Sequence, residues 1–335
     1  MKKSLRSPKS LYGELAPPGD KSISHRAVIL NSIAQGEAMV RNPSPGADLL
    51  ATISCLRALG VGIKEAGDGF IVRGVGRDGL EEAPDVLDAA NSDTTMRLLT
   101  GLLSAQPFLS IVSGDPSLRS RPMGRVIYPL RMMGAEIWGR ERDSLPPIAI
   151  RGGTLHGIDY PLPIPSAQLK SAILIAALFA EGKTTLQEPL PSRDHTERML
   201  RAMGADLKVS GNRITLTPRD TPLSPLDMSV PGDVSSAAFW LTAGAIHPNA
   251  RVRIVNCGIN PTRSGIIDVL KMMGANLKIE NQRMEGCEPI ADLCIESSSL
   301  QGITIQGEII PSLIDEIPVL AVAAMAAQGT TIIRG

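Results

Sequence analysis

An internal repeat of about 70 residues is the feature of this chain that most constrains its fold. The pattern Leu-x-x-(Leu/Met)-Gly occurs at 56–60, 130–134, 200–204 and 270–274, so its glycines are 74, 70 and 70 residues apart. Each copy follows a helical apolar pattern and precedes a strand-like stretch, and a glycine there supplies a left-handed helix C-cap. Several such units must pack together, because one unit cannot bury its own apolar faces.

A second, more apolar helix opens each unit, as at Ser166–Ala180 and Asp233–Ala245. Its end leads into a strand through a glycine turn, at Gly36, Gly182 and Gly329. Helices and strands that alternate with this period predict an α/β fold.

Length, composition and charge bound the class of protein. The chain has 335 residues, 43% of them hydrophobic and 20% charged, which is typical of a globular protein long enough for two domains. Its 34 basic residues balance its 34 acidic ones, so no overall field favours nucleic acid or an acidic membrane. The basic N-terminus lacks the apolar segment of a signal peptide, and the longest apolar stretches are half a membrane span. We therefore predict a cytoplasmic protein, without a nucleic-acid or membrane partner.

The segment PGDKSISHR, residues 18–26, places three ligand-binding groups at a predicted helix start. Ser22 and Arg26 are four residues apart and share one helix face, while Lys21 lies where the helix N-terminus favours anions. Lysine, hydroxyl and guanidinium together suit a phosphate or a carboxylate. An exposed basic helix start remains the alternative on these residues alone.

This segment and seven others, in the same order along the chain, resemble the 5-enolpyruvylshikimate-3-phosphate synthase (EPSP synthase) family. The resemblance implies transfer of the enolpyruvyl group of phosphoenolpyruvate to the 5-hydroxyl of shikimate 3-phosphate, in aromatic amino acid biosynthesis, without a metal or organic cofactor. The SAQLKSA and SRDHTE segments are most similar to the bacterial branch that tolerates glyphosate. The seven further segments are Asn91–Arg97, Arg121–Gly124, Ser166–Gln168, Ser192–His195, Pro231–Ser236, Asn260–Arg263 and Ile314–Glu316.

The resemblance also implies a set of substrate-binding residues. Lys21 would touch both substrates, Gln168 would lie between them, and Arg121 would contact phosphoenolpyruvate. Two phosphates and a carboxylate meet in such a site, so clustered cations must offset their repulsion. The implied set is Lys21, Ser22, Arg26, Asp93, Arg121, Ser166, Ala167, Gln168, Arg193 and Asp315.

By the same resemblance, Ser22 and Arg26 would hold shikimate 3-phosphate, and Ser166 and Arg193 would bind its phosphate. Two of these roles have a structural alternative. Ser166 can be the N-cap of the helix that follows it. Arg193 can form an ion pair with Asp194 or Glu197 on a solvated face.

Asp315 and Lys21 are the implied catalytic residues, Asp315 as the base that accepts the proton of the attacking hydroxyl. The alternative for Asp315 is a helix cap. Outside the set, we interpret three arginines as surface charges and one segment as structural: Arg97, Arg119, Arg125 and Asn260–Arg263.

Asp93 departs from the family, which has glycine or alanine at this position beside phosphoenolpyruvate. At 4–5 Å and an effective dielectric constant of about 20, repulsion between this carboxylate and the substrate anion is roughly 3–4 kcal/mol. Rotation toward Arg97, Arg121 or Lys21, or protonation of Asp93, would relieve it.

The family fold has two lobes, each built from three βαβαββ units. By that pattern, residues 20–228 form one complete lobe, and residues 1–19 with 229–335 form a second, incomplete lobe that lacks its last unit. The fifth unit begins at Asp315 and stops at Gly335, before its second helix. We therefore expect a truncated chain with doubtful activity of its own, which lacks most of the phosphoenolpyruvate site; whether a complementing C-terminal chain supplies that part is left open by the sequence.

Two alternatives to this function remain. One is a non-catalytic remnant that binds shikimate 3-phosphate or needs a second chain. The other is the cell-wall relative that uses a UDP-sugar acceptor, which carries a reactive cysteine on a loop of its first lobe. Residues 115–130, the comparable stretch, contain no cysteine.

Overall fold

The chain crosses between two structural units at Asp20 and again at Val230. In this computed structural model, which describes residues 8–334, the continuous unit is Lys21–Val230. The discontinuous unit combines Met1–Asp20 with Pro231–Gly335. The sequence predicts the corresponding boundaries after residues 19 and 228; residues 1–7 and 335 of that prediction lie outside the described residues.

Helices and strands alternate along the chain, as predicted. The helices are α1 (Lys21–Ser32), α2 (Ala47–Ala58), α3 (Asp93–Leu103), α4 (Gly124–Met132), α5 (Arg140–Asp143), α6 (Ala167–Ala177), α7 (His195–Ala202), α8 (Val234–Ile246), α9 (Gly265–Met272) and α10 (Ile317–Ala326). Within residues 8–334, three short 3-10 turns accompany them: Leu118–Ser120, Gly307–Ser312 and Ile314–Glu316.

The strands are mostly short. They are β1 (Leu11–Leu15), β2 (Gln35–Arg41), β3 (Gly62–Ala66), β4 (Gly69–Val75), β5 (Leu87–Asp88), β6 (Leu109–Ser113), β7 (Glu136–Gly139), β8 (Leu145–Arg151), β9 (Asp159–Pro161), β10 (Thr184–Gln187), β11 (Asp206–Ser210), β12 (Arg213–Thr217), β13 (Met228–Ser229), β14 (Ala250–Gly258), β15 (Asn276–Glu285), β16 (Glu288–Glu296), β17 (Thr304–Gln306) and β18 (Ile332–Arg334).

In the part of the chain that the structure describes, four four-stranded sheets share one topology, which confirms the predicted repeat. Their strand orders are β13-β2-β4-β3, β5-β6-β8-β7, β9-β10-β12-β11 and β1-β14-β16-β15. In each, the first pair is parallel and the other two pairs are antiparallel. Strands β17 and β18 pair in parallel, as the first two strands of each sheet do.

The repeated glycine follows the second helix of each unit in a left-handed conformation. The φ angles of Gly60, Gly134, Gly204 and Gly274 are +87°, +108°, +90° and +89°. Any other residue would place its Cβ too close to the following carbonyl there. The spacing that defines the repeat therefore marks a backbone requirement, as the sequence predicts.

The helices that open the first and third repeats, α1 and α6, are buried on almost every side. All residues of α6 from Leu169 to Ala177 are buried, as are those of α1 from Ile23 to Ser32. These helices carry polar and charged side chains into the core, among them Arg26 and Lys170, and such groups need hydrogen-bond partners. Their partners build the candidate site.

The discontinuous unit has its own apolar core, formed where α8, α9 and α10 pack on the β14–β16 sheet; Leu241, Ile254, Leu270, Leu293 and Leu320 belong to it. Across residues 8–334, none of the helices has the length and apolar character needed to cross a membrane.

Candidate active site

The N-terminal ends of α3 and α6 lie side by side in the continuous unit. Each helix is capped by a serine: Ser92 Oγ accepts from the N–H of Thr95, and Ser166 Oγ accepts from the N–H of Leu169. Gln168 Nε2 donates to Thr94 Oγ1 at 3.2 Å. The capping alternative for Ser166 is thus present in the structure, and its hydroxyl hydrogen is still available to a second acceptor.

Arg26 joins α1 to α6 and α7 from inside the unit, with only 2% of its surface exposed. Its Nε donates to Thr196 Oγ1 and its Nη2 to Ser171 Oγ, both at 2.7 Å. Its Nη1 donates to the carbonyl of Ser22 at 3.0 Å, across one helical turn as the spacing predicts. The guanidinium therefore lies beneath the first turn of α1.

Lys21 begins α1 and is exposed. Its Nζ lies 2.8 Å from Asp48 Oδ2, and the carbonyl of Asp48 accepts from Thr95 Oγ1 at 3.3 Å. Lys21 is thereby linked through α2 to the start of α3. The contacts of Lys21, Arg26 and Gln168 bring the starts of α1, α3 and α6 to one region of the unit, where helix N-termini favour anions.

Asp93, the first residue of α3, lies between two arginines. Its Oδ1 is 3.2 Å from Arg97 Nη2, and its Oδ2 is 3.0 Å from Arg121 Nη1. Arg97 also donates from Nη1 to Gln168 Oε1. Of the reliefs predicted for the Asp93 charge, rotation toward Arg97 and Arg121 is the one observed.

The interpretation of Arg97 as a surface charge is wrong, since 4% of its side chain is exposed. Burial lowers the pKa of Arg97 to about 10; Asp93 opposes this shift, and the neighbouring Arg125 and Arg121 add to it. A buried guanidinium with a lowered pKa needs an anion beside it. Asp93 supplies that anion.

Arg121 is held by a chain of hydrogen bonds on the loop before α4. Its Nη2 donates to Asn91 Oδ1 at 3.1 Å, and Asn91 Nδ2 donates to Asp115 Oδ2 at 2.7 Å. Hydrogen bonds from the Leu118 N–H and from Asn91 lower the pKa of Asp115. The guanidinium of Arg121, 39% exposed, therefore faces solvent from a fixed loop.

Behind Ser166 and the Arg193 loop lies a buried ion cluster. Lys170 Nζ is 3.0 Å from Glu188 Oε2, 2.6 Å from Glu197 Oε1 and 3.2 Å from the carbonyl of Ser192. Burial raises the pKa of Glu197, and Lys170 opposes that shift. Glu197 is thus paired with Lys170, and the nearby Asp194 with Arg198 at 2.8 Å.

In the discontinuous unit, Arg263 is buried among four carboxylates. The nearest is Glu316, at 2.9 Å from Nη1; the others are Asp233 at 3.5 Å, Asp315 at 3.7 Å and Asp20 at 3.8 Å. Asp315, with 53% of its side chain exposed, and the buried Glu316 share one 3-10 turn, so Arg263 anchors the turn that carries Asp315.

Charge is concentrated at Asp233, the N-cap of α8. Burial raises the pKa of Asp233 to about 6; Asp20 adds to this shift and Arg263 opposes it. Asp233 shares the Arg263 guanidinium with three other carboxylates, so burial and the nearby Asp20 charge both favour its protonated form.

The chain matches the EPSP synthase (3-phosphoshikimate 1-carboxyvinyltransferase) family model over residues 5–335. It is 55% identical to the 3-phosphoshikimate 1-carboxyvinyltransferase of Chloroflexus aggregans, over 98% of this chain and 77% of that protein. The chain belongs to the EPSP synthase family. The enzyme of the same name from Herpetosiphon aurantiacus is 51% identical, over 99% of this chain and 78% of its own length.

Solved structures agree with the EPSP synthase assignment and with the predicted α/β enolpyruvyl-transferase fold. EPSP synthase from Acinetobacter baumannii superposes with a TM-score of 0.89 at 47% identity, over 97% of this chain and 74% of that one. The enolpyruvyl transferase NikO from Streptomyces tendae shares the fold, with a TM-score of 0.73 at 20% identity, over 97% of this chain and 75% of its own.

The expectation of doubtful activity is not borne out. The EPSP synthase match runs to residue 335, and relatives that carry the enzyme's name match 98% of the chain. The comparisons also give no support to a complementing chain.

The predicted EPSP synthase site residues are distributed over both units. Asp315 belongs to the discontinuous unit. The partly buried Ala167 follows the capping Ser166, and the partly buried Arg193 precedes α7. The other residues of the continuous unit form the contacts described above: Lys21, Ser22, Arg26, Asp93, Arg121, Ser166 and Gln168.

Three charged residues near these positions were not singled out for a site role from the sequence. A signal existed for Lys170, which is a lone charge in an apolar helix, and for Arg97, which lies one helical turn after Asp93. For Arg263 the only signal was that it belongs to the segment Asn260–Arg263, which was interpreted as structural. Its four acidic neighbours come from three distant parts of the chain, and only the tertiary structure brings them together.

Proposed function

We propose that this chain transfers the enolpyruvyl group of phosphoenolpyruvate to the 5-hydroxyl of shikimate 3-phosphate and releases phosphate. The observation that carries the proposal is the group of cations and hydroxyls at the starts of α1, α3 and α6, joined by direct contacts in a chain of this family. Both substrates are small anions, and this arrangement suits them.

Shikimate 3-phosphate is bound through Ser166 and Arg193, which take its phosphate, and through Ser22 and Arg26. Because Arg26 is buried, it contributes in two ways: it fixes the first turn of α1 through the Ser22 carbonyl, and it adds positive charge beneath the ligand. Arg193 offers the bidentate fork that matches a phosphate.

Phosphoenolpyruvate is bound through Arg121 and Lys21, with Gln168 between the two substrates. Arg97 supports this half of the site, because it contacts the side-chain oxygen of Gln168 and the carboxylate of Asp93. The incoming anion takes the place of Asp93 beside Arg121, so Asp93 sets how strongly this side of the site attracts it.

Asp315 acts as the base for the attacking hydroxyl. An acid–base group must be both accessible and positioned. The carboxylate of Asp315 is exposed, and its neighbour Glu316 is fixed by a buried ion pair with Arg263. Lys21 is the second catalytic residue. We assign no metal or organic cofactor, no nucleic-acid partner and no membrane partner, and we place the reaction in the cytoplasm.

Phosphate release from the two substrates, measured at varied concentrations of each, tests the proposal. Asp315→Asn should lower kcat by about 10²–10⁴. Arg193→Ala should raise the KM for shikimate 3-phosphate at least tenfold, as expected for loss of about 1.4 kcal/mol of binding. Arg213→Ala is the control, because Arg213 forms an exposed ion pair with Asp159. Absence of phosphate release by the unmodified chain would contradict the proposal.

A further inference from the structure

Lys170 is a fully buried lysine in the first half of α6, just before the buried Ser171 and an apolar run from Ala172 to Ala177. Its Nζ contacts two carboxylates and one carbonyl, those of Glu188, Glu197 and Ser192. The second oxygen of Glu197, Oε2, is buried and has no hydrogen-bond partner. The cluster is therefore complete around the lysine and incomplete around one of its anions.

Such a cluster is a poor way to stabilise a helix. Desolvation of buried ions offsets much of their attraction, and well-packed apolar residues of similar volume often serve stability as well or better. Leu169 and the residues from Ala172 to Ala177 of α6 are apolar and buried, so apolar side chains in place of the whole ion cluster would suit the helix. Positional precision is what the ion cluster adds.

The cluster fixes the backbone next to Arg193. Glu188 Oε1 accepts from the N–H of Ser192 at 3.2 Å and from its hydroxyl, while the Ser192 carbonyl accepts from Lys170 at 3.2 Å. Three polar groups of Ser192 are thus held by one lysine–glutamate pair. Arg193 is the next residue, so the start of its side chain has a defined place.

The same lysine is tied to the start of α6. Its N–H donates to the Ser166 carbonyl at 3.0 Å, one helical turn away. Lys170 therefore connects Ser166, through the helix, with Ser192 and Arg193, through its side chain. These are the two groups to which the proposed function gives the substrate phosphate.

We propose that Lys170 is a positioning residue, which sets the separation between the Ser166 hydroxyl and the Arg193 guanidinium for a phosphomonoester. The proposal rests on the proposed function, in which Ser166 and Arg193 bind that phosphate. Lys170 itself does not touch the substrate. Its loss should weaken the binding of shikimate 3-phosphate selectively.

Lys170→Met tests this, because methionine keeps the length of the side chain and removes its charge. The KM for shikimate 3-phosphate should rise at least tenfold, while the KM for phosphoenolpyruvate should change less than twofold. Lys208→Met is the matched control, since Lys208 is exposed on β11 of the same unit; neither KM should change. An equal rise of both KM values in Lys170→Met would show a general structural role and overturn the proposal.

Ser192→Ala covers the case in which Lys170→Met does not fold. It removes one hydroxyl from the cluster and should raise the KM for shikimate 3-phosphate by roughly three- to tenfold, the order expected when one hydrogen bond is lost. Unchanged KM in this variant would overturn the positioning role.

Arg193→Ala, measured alongside, separates the two proposals. If Arg193→Ala weakens shikimate 3-phosphate binding and the Lys170 and Ser192 variants do not, only the positioning role fails. If Arg193→Ala has no effect, the assignment of the phosphate site in the proposed function fails first. Titration calorimetry with shikimate 3-phosphate alone should reproduce the same order of affinities without turnover.

Discussion

Asp93 Oδ2 lies 3.0 Å from Nη1 of Arg121. A carboxylate of the protein is therefore paired with the guanidinium that we propose binds phosphoenolpyruvate. Asp93 is also held by the buried Arg97. The repulsion expected from an extra negative charge is therefore partly cancelled within the protein. What remains is competition, because the substrate anion and Asp93 use the same cation.

Asp93→Asn should strengthen the binding of phosphoenolpyruvate. The amide keeps the size of the side chain and removes the competing charge. Since Arg121 is 39% exposed, screening reduces the effect, and we expect the KM for phosphoenolpyruvate to fall about three- to tenfold. Asp159→Asn, at an exposed ion pair, is the control. A higher KM in Asp93→Asn would mean that Asp93 assists the substrate.

Relative to the unmodified protein, the Asp233→Asn variant should become more stable as the pH rises. The pKa of Asp233 is about 6 in the folded protein and 3.8 in its ordinary state, so folding favours the protonated carboxyl. Its contribution to stability is fully present below pH 3.8 and is lost as the pH rises through 6. Asparagine has no such loss and still caps α8.

Urea unfolding of both proteins at pH 4 to 8 checks this expectation. The free energy of unfolding of Asp233→Asn, relative to the unmodified protein, should increase by about 1–3 kcal/mol across that range. A difference that is the same at every pH would show that Asp233 does not titrate there.

Arg263→Met should destabilise the discontinuous unit. It leaves four carboxylates without their shared cation, and removal of one partner from a buried ion pair typically costs about 3–5 kcal/mol. Arg251→Met is the comparison: Arg251 is 74% exposed beside Glu296, and its loss should cost less than about 1 kcal/mol. Chemical denaturation of the two variants measures both losses of unfolding free energy. Similar losses in both would argue against the anchoring role of Arg263.

Gly204→Ala should destabilise the protein by about 1–2 kcal/mol through backbone strain alone. The φ of Gly204 is +90°, and apart from its own chain neighbours no heavy atom lies within 4 Å of an added Cβ. Gly124 is equally open but lies in the helix α4, so Gly124→Ala should be neutral or stabilising by up to about 1 kcal/mol. Thermal unfolding compares the pair; the same sign for both would contradict the conformational explanation.

Much of the local structure follows from short stretches of sequence. The repeat predicts the α/β units, because a glycine that must adopt positive φ and a helix that precedes it are neighbours in the chain. The start of α1 at Lys21 and the cap at Ser166 are likewise local, since they depend on groups within one helical turn. The family resemblance then predicts the two-lobed fold and the residues of the candidate site.

The sequence alone did not identify how each sheet is completed. Strand β13, which follows the third repeat, leads the sheet of the first, and β1 leads the sheet of the fourth. The two residues of β13 carry no periodicity that could name a partner. Its pairing depends on hydrogen bonds with β2, nearly 190 residues away.

For the buried charged residues, too, the sequence determined one part and the tertiary structure the other. The sequence placed Lys170 in a predicted helix, but it did not show that Arg97, Lys170 and Arg263 are all buried. Only the tertiary structure decided this, because Arg97 contacts Gln168, 71 residues away, and Arg263 contacts Asp20, near the other end of the chain. A charge can leave water only where other elements bring it a counter-charge, and that arrangement does not exist until the helices and loops have packed.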